Sequence, residues 1–419
     1  MSVSNLILNE EKWSEVNEKI AAYGGDGKAA SDALKKLYSL YTDDILVWLG
    51  NLFDTRIGGF YYSMSAKNSD SFLPDIESTY HAIVLLKNSG AISEYSDIPE
   101  LMRKKIAGFI CSLEDPENGY FYHPQWSREL TDMKTSRKVR DQNWAAYLSS
   151  TLDFDLPYPT ASERLSDKKL NSRSISRDVF SSEESFLNYL QSLDWEGNSA
   201  SSFHKIISQC GQIKVAGLNG VLIDYLNQIQ DKETGFFTKT PNFYDAALMY
   251  GISALYSNSL GIRMPMAEVI AERIIFTFLD EISKVEPCDL YFIRNIWGAV
   301  EGLIKNLRMF GDTEDKKKAD ELLAQVQSKA IAAIEATAIR MAEYKRPTGA
   351  FSLRIEESPT TSQGVPVTTE KTLGGDMNAT AIAVGMLRSI RYLLGISDLN
   401  LTIFTSEDFG KFVGAIDKI

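Results

Sequence analysis

The stretch SLEDPENGYFYHPQW, Ser112 to Trp126, contains a pattern that occurs elsewhere in the chain. Asp115 is followed four positions later by Gly119 and six positions later by Phe121. An aspartate side chain can accept from the backbone two residues on, and glycine tolerates the positive φ of a tight turn. The pattern therefore predicts a turn with the aromatic side chain packed beneath it. Three further copies, the last without the acid, are DTRIGGF from Asp54, DKETGFF from Asp231 and KRPTGAF from Lys345.

The spacing of the four copies indicates a repeated structural unit. They begin 61, 116 and 114 residues apart, so the two longer separations are about twice a unit of roughly 58 residues. Each copy stands between two segments whose apolar residues recur at intervals of three and four, which is helical spacing. Two more such pairs, whose outer segments begin SSEESFLNYL and MAEVIAERII, fit the spacing without the turn. The sequence therefore predicts an all-α fold: six helical hairpins closed into an (α/α)6 barrel or toroid, outer helix before inner.

The turn at the end of each outer helix, SLEDPENGYF or QIQDKETGFF, resembles the repeats of the (α/α) toroid superfamily. This superfamily includes six-hairpin glycosidases and polysaccharide lyases, terpenoid cyclases and protein prenyltransferases. The resemblance covers most of the chain and implies the fold. It does not select one chemistry, because the matching residues are turn residues. The D-x-D-D motif of the cyclases is absent, and Cys210 and Cys288 lack the pattern of a prenyltransferase zinc site.

The bulk properties exclude several classes of function. A formal net charge of −12 argues against a nucleic-acid partner, which requires a basic surface. No apolar run approaches the roughly 18 residues of a membrane span, so we expect no membrane partner. The N-terminal residues lack the basic start and apolar core of a signal peptide. The three cysteines have no disulfide or metal spacing, which favours a reducing compartment, the cytoplasm.

The length and the repeat predict one domain over residues 1–419. Variable loops come after the turns, and in repeat proteins such insertions gather on the binding face. The Ser-rich, polar segment near residues 156–182 is predicted to be a surface loop between the second and third hairpins.

Carboxylates near the starts of the predicted inner helices are the candidate catalytic groups. A closed ring makes the first and last inner helices neighbours, so Asp75 and Asp376 should lie close together. Two carboxylates that share a site raise the pKa of one of them, which provides a general acid. Each acid could instead cap its own helix. The candidate catalytic residues are Asp75, Glu77 and His81 in LPDIESTYHA, Asp141 in VRDQNWAAY and Asp376 in GGDMNATA.

Aromatic and polar side chains beside these helix starts suit a sugar, which stacks one face on a ring while its hydroxyls form hydrogen bonds. The alternative is a well-packed loop that ends in a helix cap. The candidate substrate-binding residues are Tyr122, His123, Trp126, Trp144, Tyr244 and Asn378.

Three functions remain open on the sequence alone. The first is a carbohydrate-active enzyme, a glycoside hydrolase or a lyase, that acts on an oligosaccharide at the inner-helix mouth. The second is a non-catalytic toroid that binds a glycan, a lipid or a protein. The third is a protein similar to terpenoid cyclases or prenyltransferases. We expect a small-molecule or oligosaccharide ligand, no metal ion and no cofactor.

Overall fold

The computed structural model describes residues 6–166, 177–369 and 373–416. Helices dominate this part of the chain. The strands within it form a single small antiparallel hairpin of β1 (Thr361–Ser362) and β2 (Val365–Pro366), which the sequence did not predict. The fold is therefore all-α, as predicted.

The longest helix in the first half of the described chain is α8. The helices of this half are α1 (Glu10–Ala22), α2 (Gly27–Tyr38), α3 (Asp44–Asn51), α4 (Met64–Lys67), α5 (Ile76–Ser89), α6 (Glu100–Ser112), α7 (Arg128–Met133), α8 (Thr135–Leu152), α9 (Ala161–Ser166) and α10 (Arg177–Phe180), with a 3₁₀ turn at Tyr95–Asp97.

The second half contains longer helices still. They are α11 (Glu183–Ser192), α12 (Ser199–Val215), α13 (Asn219–Ile229), α14 (Phe243–Ala254), α15 (Ala267–Arg273), α16 (Leu279–Glu281), α17 (Leu290–Phe310), α18 (Thr313–Tyr344), α19 (Met377–Leu393) and α20 (Phe409–Ala415). Turns of π-helix at Leu255–Leu260 and Ile274–Phe278 extend α14 and join α15 to α16.

The repeated turn has the predicted conformation. In the first three copies the aspartate Oδ1 accepts from the backbone N–H groups two and three residues on, at 2.7–3.1 Å. The turn glycines all have positive φ: +95° at Gly58, +69° at Gly119, +76° at Gly235 and +81° at Gly349. The aromatics Phe60, Phe121 and Phe351 are buried beneath their turns, whereas Phe237 of the third copy is half-buried.

The fourth copy differs from the others by more than its missing acid. Phe53 pairs with Phe60 and Glu114 with Phe121, seven residues on, whereas Lys345 pairs with Phe351, six residues on. The fourth turn is therefore one residue shorter, which the sequence pattern alone did not reveal.

Six helices in the described part of the chain contact one another in a closed cycle. In order, α5 contacts α8, α8 contacts α12, α12 contacts α14, α14 contacts α17, α17 contacts α19, and α19 returns to α5. We refer to these six as the cycle helices. Each is preceded in the chain by a helix outside the cycle: α3, α6, α11, α13, the α15–α16 segment and α18 respectively.

One continuous apolar cluster extends from Leu6 to Ile416. The N-terminal α2 packs on α18, and the C-terminal α20 packs on α3, so both ends of the described chain join the same core. A continuous core supports the single-domain organisation, which stays a prediction.

One sequence prediction about a helix boundary is wrong, and the surface loop stays a prediction. The segment of residues 156–182 contains the short helices α9 and α10, and residues 167–176 fall outside the described part. Its start packs on the second turn, where the Ala161 N–H donates to the Gly119 carbonyl. The helix predicted to begin near Asp141 begins at Thr135 instead, so Asp141 lies in its second turn.

Candidate functional site

A cavity of about 420 Å³ lies among the six cycle helices, and every one of them contributes to its wall. The sixth residue of each cycle helix lines it: His81, Arg140, His204, Leu248, Asn295 and Ile382. Equivalent positions of the six helices therefore face one space. These positions carry five different residue types, so the wall does not repeat one side chain.

Three arginines line this cavity. Arg140 on α8 donates through Nε to Ser208 Oγ at 3.1 Å. Arg294 on α17 donates through Nη2 to Tyr250 Oη at 2.6 Å, and its guanidinium lies over the Tyr250 ring, 3.6 Å from the ring centroid. Arg388 on α19 is exposed and makes no hydrogen bond or ion pair with the described residues. The cavity wall is therefore rich in positive charge, and protein contacts fix two of its three guanidinium groups.

An aromatic surface lies on the wall formed by α5 and α8. Tyr80 and Trp144 both line the cavity and stack with ring centroids 5.7 Å apart and an interplanar angle of 26°. The amide side chains of Asn88, Asn295 and Asn378 line other parts of the same cavity. Stacked rings beside amide groups can hold the apolar face of a sugar and bond its hydroxyls.

Behind the cavity wall, Arg137 holds three carboxylates together. It is completely buried, and its nitrogens lie 3.0 Å from Asp75 Oδ1, 2.6 Å from Glu77 Oε2 and 2.8 Å from Asp141 Oδ2. Its guanidinium also lies over the Trp126 ring, 4.6 Å from the centroid. The structure thus brings together three of the predicted catalytic acids, through an arginine that the sequence analysis did not single out.

The electrostatics of this acid cluster result from its burial. Burial raises the pKa of Asp141 to about 7, against the opposing effect of Arg137. Burial also raises the pKa of Glu77, again opposed by Arg137. Burial alone would lower the pKa of Arg137, but the three carboxylates hold it above its ordinary value. Glu77 is the member of the cluster that reaches the cavity.

Two histidines face the cavity in the neutral form. Burial lowers the pKa of His81 to about 4, and burial does the same to His204. The Nε2 atom of His81 is 4.0 Å from Glu77 Oε1, on the next turn of the same helix. A neutral imidazole can accept a proton, and an adjacent carboxylate stabilises the cation that results.

Asp75 and Asp376 both cap the helices that they precede. Ser78 N donates to Asp75 Oδ1 at 2.9 Å, and Ala379 N donates to Asp376 Oδ1 at 2.8 Å. Both carboxylates act on the buried Tyr62. Burial raises the pKa of Tyr62 well above its ordinary value, and Asp376, Glu77 and Asp75 raise it further. The two helices are neighbours as expected, but neither capping carboxylate lines the cavity.

Asp376 is fully buried away from the cavity. Besides its capping bond, it accepts from the Leu353 N–H at 2.7 Å and from the Tyr62 hydroxyl at 3.3 Å. Burial raises its pKa to about 7, although these hydrogen bonds oppose the shift. The carboxylate therefore ties the last cycle helix to the chain before it.

The predicted substrate-binding residues divide into two groups. Trp144 and Asn378 line the cavity, whereas the other four side chains lie outside its lining. Trp126 Nε1 donates to the Pro366 carbonyl at 2.7 Å, and the His123 ring packs 5.0 Å from the Trp126 ring.

The remaining two aromatics, Tyr122 and Tyr244, also make contacts within the protein. Tyr122 donates to Asp132 at 2.9 Å, and the exposed Tyr244 packs edge-on against Phe292. These four aromatic side chains therefore lie outside the lining of the cavity and contact other parts of the protein.

The β1–β2 hairpin is a part of the site that the sequence analysis missed. Gln363, at its tip, lines the cavity and has a positive φ of +49°. The Trp126 bond to Pro366 anchors the hairpin beside the acid cluster. Gly364, between Gln363 and Val365, is the signal that could have indicated a tight turn here.

Comparisons with protein-family models, with curated proteins and with solved structures found no match to this chain. Within the described residues, no helix has the length and apolar character needed to cross a membrane.

Proposed function

We propose that the chain is an (α/α)6 toroid and a carbohydrate-active enzyme whose site is the central cavity. The closed order of contacts among the cycle helices supports the toroid. So does the alternation along the chain, in which each cycle helix comes after a helix that lies outside the cycle. The site then belongs to the ring as a whole, because all six cycle helices line it.

The observation that carries the substrate class is the charge of the cavity wall. Arg140, Arg294 and Arg388 face the cavity, and Glu77 is the one carboxylate among its described lining residues. Arg137 is shared among three carboxylates, so Glu77 offsets part of the charge of the three arginines but not all of it. An acidic ligand would balance them, and the stacked rings of the aromatic surface favour a sugar. A uronic acid sugar has both features.

The lining favours elimination over hydrolysis. Glycoside hydrolysis generally uses two carboxylates that flank the scissile bond, and the described lining has one. Elimination from a uronate instead requires a base for the C5 proton and cations beside the carboxylate group. The neutral His81 and the arginines provide these two functions.

The reaction balances without a further reactant. His81 takes the C5 proton, the electrons of that bond form the C4=C5 double bond, and the C4–O bond breaks. The guanidinium groups stabilise the charge that the uronate carboxylate gains as the proton leaves. Glu77 stabilises the protonated His81, and the leaving oxygen takes a proton from Tyr80, whose pKa burial raises to about 12. The proton on His81 then passes to the Tyr80 oxygen, which restores both groups; the two rings lie 5.1 Å apart.

Product analysis tests this function. We expect wild-type protein to release from oligouronates a product with the ultraviolet absorption of a conjugated C4=C5 bond, and to leave the matched neutral oligosaccharides uncleaved. His81→Gln should lose at least about 100-fold in rate, the lower range for general-base catalysis. Tyr244→Phe, outside the cavity, is the matched control and should retain the wild-type rate.

Three other outcomes would replace the proposal. New reducing ends without the ultraviolet band would indicate hydrolysis. A rise in melting temperature with an isoprenoid diphosphate, but with no acidic sugar, would indicate a prenyl-binding protein, since a ligand of the folded form raises stability by mass action. Binding of oligouronates without any cleavage would indicate a non-catalytic glycan-binding toroid.

A further inference from the structure

The arginines of the cavity occupy opposite walls. Arg140 belongs to α8 and Arg294 to α17, and two other cycle helices separate α8 from α17 in either direction around the cycle. Arg388 belongs to α19, the neighbour of α17. The positive charge therefore forms two groups: Arg140 on one side, and Arg294 with Arg388 on the other.

Each group acts on different neighbours. Arg140 is among the charges that influence the pKa of His81 and of His204. Arg294 and Arg388 both influence the pKa of Tyr80. Arg140 shares its helix with Trp144 of the aromatic surface, whereas Arg294 and Arg388 act on Tyr80 from other helices of the cycle.

Both fixed arginines keep guanidinium donors free for a ligand. Arg140 donates from Nε to Ser208, and Arg294 donates to the Tyr250 hydroxyl at 2.6 Å and to Asn295 Oδ1 at 3.2 Å. Neither is paired with a carboxylate within 4 Å in the described part of the chain, and the buried Nε–H of Arg294 has no acceptor there. Guanidinium groups bind carboxylates through several N–H donors at once, and such charge-assisted bonds are strong.

We propose that the substrate carries two acidic groups, one for each wall, as in two linked uronate residues. This inference rests on the proposed function. A ligand with one acidic group would balance one wall and leave the guanidinium of the opposite wall without an anion. The two-acid ligand binds both, with its rings between them against Tyr80 and Trp144.

Isothermal titration with the His81→Gln protein, which binds without cleavage, tests the inference. The probes are a diuronate disaccharide, the two disaccharides of one uronate and one neutral sugar in either order, and the neutral disaccharide. We expect the diuronate to bind about 10- to 100-fold more tightly than either mixed disaccharide, the range for one charged hydrogen-bonding group.

Replacement of one arginine at a time then shows which uronate carboxylate each wall binds. Arg294→Gln and Arg140→Gln should each reduce diuronate affinity to that of a mixed disaccharide, and each should weaken a different one of the two mixed disaccharides. Arg308→Gln, on the same helix as Arg294 but paired with Asp320 outside the cavity, should leave all affinities unchanged. Far-ultraviolet circular dichroism and the melting temperature of each variant confirm that it is folded.

The results separate this inference from the proposed function. Equal affinities for diuronate and mixed disaccharides, or loss of both mixed ligands in either single variant, would overturn the two-wall inference while the acidic-sugar function stands. Failure of every acidic sugar to bind would overturn both.

Discussion

The repeated turns and the central cavity are built in opposite ways. The first three turns use the same aspartate, the same positive-φ glycine and the same backbone bonds. The cavity uses the same position of six helices, yet places two histidines, an arginine, an asparagine and two aliphatic residues there. In this chain, repetition of residues marks the scaffold, and variation at equivalent positions marks the candidate site.

The acid cluster of Arg137 also differs from the turns in its energetics. A turn occurs four times and each copy is held mainly by its own backbone, whereas the cluster occurs once and depends on one guanidinium. Loss of a single side chain should therefore lower the free energy of unfolding more at the cluster than at a turn.

Replacement of Arg137 should have the largest effect on stability. Arg137→Met leaves three buried carboxylates without their cation and should lower the free energy of unfolding by about 3–5 kcal/mol, measured by urea denaturation. Adding Asp141→Asn should recover part of this loss, because it removes one uncompensated charge. A loss under about 1 kcal/mol, or no recovery in the double variant, would contradict the ion-pair explanation.

The turn glycines should show the next largest effect. A Cβ at Gly119 would lie 2.3 Å from the Pro159 carbonyl oxygen, whereas one at Gly24, also at positive φ, would meet nothing within 4 Å. Gly119→Ala should therefore cost roughly 2–4 kcal/mol from backbone strain plus the clash. Gly24→Ala should cost only the strain, about 1 kcal/mol. Equal costs in the two variants would show that the second turn is not closely packed.

A smaller effect on stability is expected at a residue that distinguishes the second turn from the first. Phe53 precedes the aspartate in the first copy, and Glu114 precedes it in the second. Glu114 Oε1 is buried without a hydrogen-bond partner in the described part, and burial raises the pKa of this carboxyl from 4.5 to about 7.

The raised pKa of Glu114 makes the stability of the folded protein depend on pH. Between about pH 4.5 and 7 the folded state holds a proton on Glu114 that the unfolded state releases, so this group's contribution to stability falls as the pH rises. Glu114→Gln should lose less stability than wild type over that window. Glu117→Gln, an exposed acid of the same turn, should match the wild-type profile. Parallel profiles for wild type and Glu114→Gln would refute the assigned shift.

The scaffold was predictable because its signals are local. The aspartate, the glycine and the aromatic of each turn are close in sequence, and Asp75 and Asp376 begin their helices as caps do. The site was less predictable because it depends on where each helix begins. The first residues of α8, TSRKVR, are polar and basic, and Lys134 before them makes no side-chain cap.

That one misplaced boundary concealed the main features of the site. With the helix begun near Asp141, Arg137 and Arg140 fell in a loop, and neither the acid cluster nor the arginines of the cavity could be recognised. The aromatics near Trp126 are equally suited to sugar binding and to packing by type alone. Only the positions of Arg137 and Pro366 decide that Trp126 packs against the protein.

A crystal structure of the His81→Gln protein with a bound oligouronate would test the proposed site most directly. We predict the sugar in the central cavity, with one ring against Tyr80 and Trp144, one carboxylate at Arg140 and another at Arg294. An oligouronate bound at the outer surface, or one in the cavity whose carboxylates contact none of the three arginines, would contradict the proposal.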